Sequence, residues 1–72
     1  MRWWLVRIRE NKGLSQYGVA SRAGISQSYY ALIETGQRGN PLNVNIAKQI
    51  ATALSFDWTK FYIETETAQA KR

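Results

Sequence analysis

Ser15 and Ser26 each stand just ahead of a short helix-compatible run, and Gly24 and Gly36 close those two runs. A serine at that position can accept a hydrogen bond from the backbone N–H groups of the first turn. A glycine after the last turn can take the left-handed backbone that ends a helix. These brackets confine the middle of the chain to two short helices joined by a turn, followed by the polar loop "GQRGNPL".

The flanking segments read the same way. The stretch from Arg2 to Asn11, stopped by Lys12-Gly13, places Leu5 and Ile8 on one face with Arg9 beside them. Asn43 caps a fourth helix in which Val44, Ala47, Ile50, Ala51 and Leu54 recur at helical spacing. A short fifth helix is expected in "DWTKFYIE", where Trp58, Phe61 and Tyr62 fall at i, i+3 and i+4. No run reads as a convincing strand. The expectation is an all-α domain of five helices over residues 1–63, with a frayed tail over 64–72.

Size makes this a demanding arrangement. A chain of 72 residues buries roughly 60% of its unfolded surface, so nearly every apolar side chain is needed. There is no cysteine and no histidine, and the five carboxylates (Glu10, Glu34, Asp57, Glu64, Glu66) are scattered. Disulfides and a closed zinc site are therefore not expected, nor is any cofactor. No nucleophile–base or carboxylate pair is spaced for catalysis, so an enzyme is the least favoured reading. The opening "MRWWLVRIRE" lacks the apolar core of a secretory signal, and no stretch approaches a membrane span. A cytoplasmic chain with no membrane role is expected. The formal charge of +5, with a pI near 10.0, favours an anionic partner.

The third helix, opened by Ser26, indicates which one. At 100° per residue, Tyr30 and Ile33 point one way, with Tyr29 and Glu34 at the edges of that side. Ser28, Ala31, Leu32 and Thr35 point the other way, and Gln27 lies in the first turn. An ordinary solvated face would carry Lys and Glu; this strip carries neither. The major groove of B-DNA is about 12 Å wide and admits one helix. A glutamine there can pair with adenine, a serine can donate or accept, and Ala or Leu can meet a thymine methyl. Groups that hold phosphates would surround the strip: Gln16, then Thr35, Arg38 and Asn40, with backbone N–H groups at the two helix starts. The alternative is that the strip packs on another protein or on a second copy. For Gln27 and Ser28 singly, ordinary first-turn chemistry competes, and Arg38 taken alone reads as a solvated loop charge rather than a contact.

Helices two and three, Gln16 to Ile33, resemble the helix-turn-helix of the lambda-repressor-like (Cro/Xre-type) DNA-binding proteins. The residues that carry the resemblance are Ser15-Gln16, Ala20 at the crossing and Gly24 in the turn. Val19, Ile25, Tyr30 and Ile33 stand at inward positions, and Glu34-x-Gly36 is followed by Arg38. "IATALSFDWTKFY" looks like that family's last two helices, so the likeness spans about Leu5 to Tyr62.

The resemblance implies a sequence-specific double-stranded DNA-binding transcriptional regulator, a repressor of phage, mobile-element or bacterial type. It implies base reading by Gln27, Ser28 and Leu32, and sugar-phosphate contacts from Gln16, Tyr29 and Thr35. It also implies a charged pair, Arg9 with Glu34, linking helix one to the end of helix three. The residues agree: an unpaired carboxylate half turned inward at Glu34 would be costly, and an arginine fork suits it. Many members bind as two-fold homodimers on half-sites about one helical turn apart.

Three positions depart from the family pattern. Gly18 replaces a helix-favouring residue, Tyr30 a Val or Ile, and Ser55 the glycine after helix four. The first two imply a looser or tilted reading helix. Trp3 and Trp4, about 100° apart on a helix, cannot both face inward. Phe56 and Phe61 are expected in the core. An exposed tryptophan leaves a second class open, a small antitoxin-like or anti-repressor-like module whose main partner is a protein. A membrane-surface peptide built on the Arg/Trp start is disfavoured by the apolar core of helices three to five.

Overall fold

The computed structural model describes residues 1–38 and 41–63 of the chain. Within them run α1 (Trp3–Asn11), α2 (Gln16–Ala23), α3 (Gln27–Thr35) and α4 (Val44–Leu54). A further helical turn, α5, begins at 60 and runs to 63, the last described residue. No strand occurs among the described residues, so the all-α expectation holds.

The helix ends form where the capping residues place them. The hydroxyl of Ser15 accepts from the N–H of Gly18, and that of Ser26 accepts from the N–H of Tyr29. Asn43 Oδ1 accepts from the N–H groups of Asn45 and Ile46. Gly24 and Gly36 close α2 and α3 at φ 74° and 85°, in the left-handed region where a Cβ is costly. Ser55 takes the same backbone at φ 62°, so α4 leaves with the usual geometry although glycine is absent.

Helices of eight to eleven residues are marginal alone and are held by the core they share. That core joins Leu5 from α1, Val19, Ala20 and Ala23 from α2, and Tyr30 and Ile33 from α3. Leu42, then Ala47, Ile50 and Leu54 from α4, and Phe61 complete it. α2 packs against both α3 and α4, and α1 packs against α3. Trp4, Phe56 and Phe61 meet edge-on or tilted, with ring centroids 5.0 to 5.8 Å apart.

Four local readings need correction. Arg2 is not the first residue of α1 but its cap, with its carbonyl accepting from Leu5 and Val6. Ile8 is only half-buried, whereas Val6 is buried beside Leu5. Val44 lies 44% exposed, because the core begins one turn later at Ala47. The fifth helix also begins later than "DWTKFYIE" suggested. Asp57 Oδ1 accepts from both the N–H and the hydroxyl of Thr59, a local bond that makes 57–59 a turn before helix begins at 60. Trp58 is accordingly half-buried on the flank, edge-on to Tyr62 and beneath Lys48 Nζ at 5.1 Å. Glu64 and the expected tail at 64–72 lie outside the described residues.

Gly18 does not break α2, which runs through it without interruption. A Cβ built there would stand 3.3 Å from the Ser15 hydroxyl and 3.6 Å from Leu14 Cδ2. The close approach of the cap to the helix start accounts for a small residue at this position.

Candidate nucleic-acid interface

α3 is secured from behind by one buried carboxylate. Glu34 is 1% exposed, at the junction of α1, α2 and α3. Arg9 from α1 donates through Nε to Glu34 Oε2 at 2.6 Å and through Nη2 to Oε1 at 3.4 Å. Gln16, the first residue of α2, donates to Oε1 at 3.0 Å. The Tyr30 hydroxyl, one turn earlier on α3, donates to Oε2 at 2.7 Å. Arg9 also reaches the carbonyl of Leu14 at 2.9 Å, which fixes the loop between α1 and α2. No buried side-chain nitrogen or oxygen among the described residues is left without a partner.

The electrostatics follow from this packing. Burial pushes the Glu34 carboxyl up, but the hydrogen bonds of Arg9, Gln16 and Tyr30 and the Arg9 charge outweigh it. The net position is below the ordinary carboxylate range, so the group is ionised at neutral pH. The bond to Glu34 raises Arg9 further above its usual value. Burial raises the Tyr30 phenol, and its bond to Glu34 adds to the effect. Tyr30 thus fits a position usually held by an aliphatic residue: its ring is in the core and its hydroxyl completes the carboxylate's shell.

With that side sealed, the other side of α3 faces out. Gln27, Ser28 and Thr35 are exposed, and Ala31 and Leu32 are half-buried. The strip is uncharged, as the sequence suggested, and no helix among the described residues seals it. Tyr29 is half-buried against the core, and the Thr35 hydroxyl donates to its own helix at the Leu32 carbonyl, 3.0 Å away. Arg38 is exposed just beyond the helix end. Asn40 lies outside the described residues.

Two features were not read from the sequence. One amide N–H of Gln16 is engaged with Glu34, so this residue belongs first to the seam behind α3. Arg2 is buried at the end of α3, although nothing in its neighbourhood of sequence signalled a role there. Among the described residues no group of His, Cys, Asp or Glu can hold a metal ion, and no helix is long and apolar enough to cross a membrane.

Two short helices packed on each other, a left-handed glycine between them and an outward-facing second helix define a helix-turn-helix architecture. The helix-turn-helix family model matches residues 5–61, and the chain belongs to that family, in the lambda-repressor-like (Cro/Xre-type) form its motifs indicated. It is similar to YqaF of Bacillus subtilis (strain 168), described as an uncharacterized HTH-type transcriptional regulator. The two are 45% identical over 62 residues, covering 86% of this chain and 79% of that protein. No solved structure matches the chain significantly.

Proposed function

We propose that the protein is a sequence-specific double-stranded DNA-binding transcriptional regulator, of repressor type and of phage, mobile-element or bacterial origin. α3 lies in the major groove. Gln27, Ser28 and Leu32 meet base edges, while Tyr29, Thr35, Arg38 and Asn40 hold the sugar-phosphate backbone. Gln16 contributes its second amide N–H and the start of α2 to a phosphate. Regulation is steric: occupying an operator excludes polymerase. This role places the protein in the cytoplasm.

The observation that carries this reading is the uncharged, outward strip of α3 on a helix immobilised from behind. A helix face without charge, in a chain of net charge +5, suits a groove whose walls are anionic and whose floor is not. Membership of a family with an HTH-type transcriptional regulator as a relative supports it.

Selection of bound sites from random duplex DNA tests the proposal. An enriched motif whose binding weakens steeply with salt supports it, and a palindromic motif shows a two-fold dimer. Absence of duplex binding at low ionic strength overturns it. A second reading, a module whose main partner is a protein, draws on Trp3, which is 60% exposed on α1. Such a partner would bind with little dependence on salt.

A further inference from the structure

Arg2 precedes the residues matched by the family, yet it is only 6% exposed. A guanidinium is costly to bury unless its N–H groups find acceptors. The end of α3 supplies them. Arg2 Nη1 donates to the carbonyl of Ile33 at 2.6 Å and to that of Arg38 at 3.1 Å. The backbone N–H of Arg2 donates to the carbonyl of Glu34 at 2.7 Å. The guanidinium carbon lies 5.6 Å from the centroid of the Phe61 ring. One residue therefore opens α1 with its carbonyl and closes α3 with its N–H and its side chain.

The bond to Arg38 is the informative one. Gly36 turns the chain back, and the N–H groups of Gln37 and Arg38 both donate to the Leu32 carbonyl. Arg2 adds a bridge from inside the last turn of α3, at Ile33, to the residue beyond it. The backbone of Arg38 is thereby tied from both sides while its side chain stays exposed. The buried cation also offsets the negative end of the α3 dipole, which would otherwise oppose a phosphate.

We propose that Arg2 is a positioning residue for DNA binding, holding the 36–38 turn so that Arg38 meets a phosphate from a fixed starting point. The proposal rests on the reading above, in which α3 occupies the groove and Arg38 grips the backbone. A cation held in place beforehand loses less freedom on binding than one carried by a loose loop. Arg2 itself, being buried, touches no nucleotide.

A double-mutant cycle tests this, with R2K, R38A and R2K/R38A titrated against a selected duplex over a range of salt. Lysine keeps the charge, but its nitrogen stands one bond short of the position from which Nη1 donates to both carbonyls. R2K and R38A are each expected to weaken binding about tenfold and to flatten the log Kd against log salt slope by up to about 0.9, one phosphate contact. The double variant should fall within about twofold of R38A alone, because both changes remove the same contact. Base preference opposite Gln27 should not move. Should R2K melt below the assay temperature, R2Q assayed in the cold completes the same cycle. Effects of R2K and R38A that multiply, or wild-type affinity in R2K, overturn the role of Arg2 alone. Wild-type protein that binds no duplex at low salt overturns the interface itself, and this proposal with it.

Discussion

On one side of α3, Tyr30 and Glu34 are sealed against α1 and α2, and their polar atoms are bonded to Arg9, Gln16 and each other. On the other side, Gln27, Ser28 and Thr35 stand in solvent. The inward face is charged yet buried; the outward face is uncharged yet exposed. Each inverts what a stability argument alone would choose. The buried charge fixes geometry, and the uncharged outward face agrees with the groove-facing role proposed for α3. Substitutions should divide accordingly, with inward changes altering the melt and outward changes altering recognition.

The largest effect is expected at Glu34. Glu34→Ala removes the acceptor shared by three side chains and leaves the Arg9 charge half-buried, a loss of about 3–5 kcal/mol. Denaturant unfolding measures it, and a melt within error of wild type would mean the seam is no strut.

Acid should reach the same group by titration. Because its folded pKa lies below the unfolded value of about 4.3, its stabilisation is complete above that value. It is lost as pH falls through the folded pKa. Unfolding free energy should therefore drop steeply below about pH 4, and Glu34→Gln should flatten that drop; an equal pH dependence in both proteins would contradict the assignment.

Gln27→Ala tests the opposite face. It should cost about 1–3 kcal/mol in specific binding and relax preference at one base pair, with little change in the melt. Unchanged affinity for selected DNA would show that Gln27 is not a base-reading residue.

Tyr30→Phe keeps the ring in the core and removes only the hydroxyl bond to the carboxylate. A loss of about 1–2 kcal/mol in stability is expected, with unaltered base preference. A changed preference would show that the inward face also tunes recognition.

Smallest is Ser55→Gly, remote from α3. Relieving a left-handed serine outweighs the added flexibility of glycine by about 0.5 kcal/mol, seen as a slightly higher Tm. A lower Tm would show that the serine side chain stabilises the α4 exit.

How much of this was legible depends on how far apart the partners lie. The caps at Ser15, Ser26 and Asn43 bond within three residues, and Gly24 and Gly36 act on their own backbone. Tyr30 and Glu34 are one helical turn apart, and the resemblance supplied Arg9 as the third member. Such short-range or motif-borne features place α1 to α4 and the outward strip correctly. Gln16 and Arg2 were missed in their full roles because their partners lie 18, 31 and 36 residues away. The start of α5 differs for the reverse reason: apolar spacing favours a helix from 57, and one local Asp57–Thr59 bond overrides it.

Helix number, helix ends and the absence of charge along one side of α3 were thus settled by residue order, since each follows from backbone preference and period over a few residues. How deeply Glu34 is buried, the bond it receives from Gln16 and how Arg2 clamps the end of α3 were settled by assembly. Those choices require segments distant in the chain to exclude water together, and a desolvated charge accepts only partners that the packed helices bring within hydrogen-bonding reach.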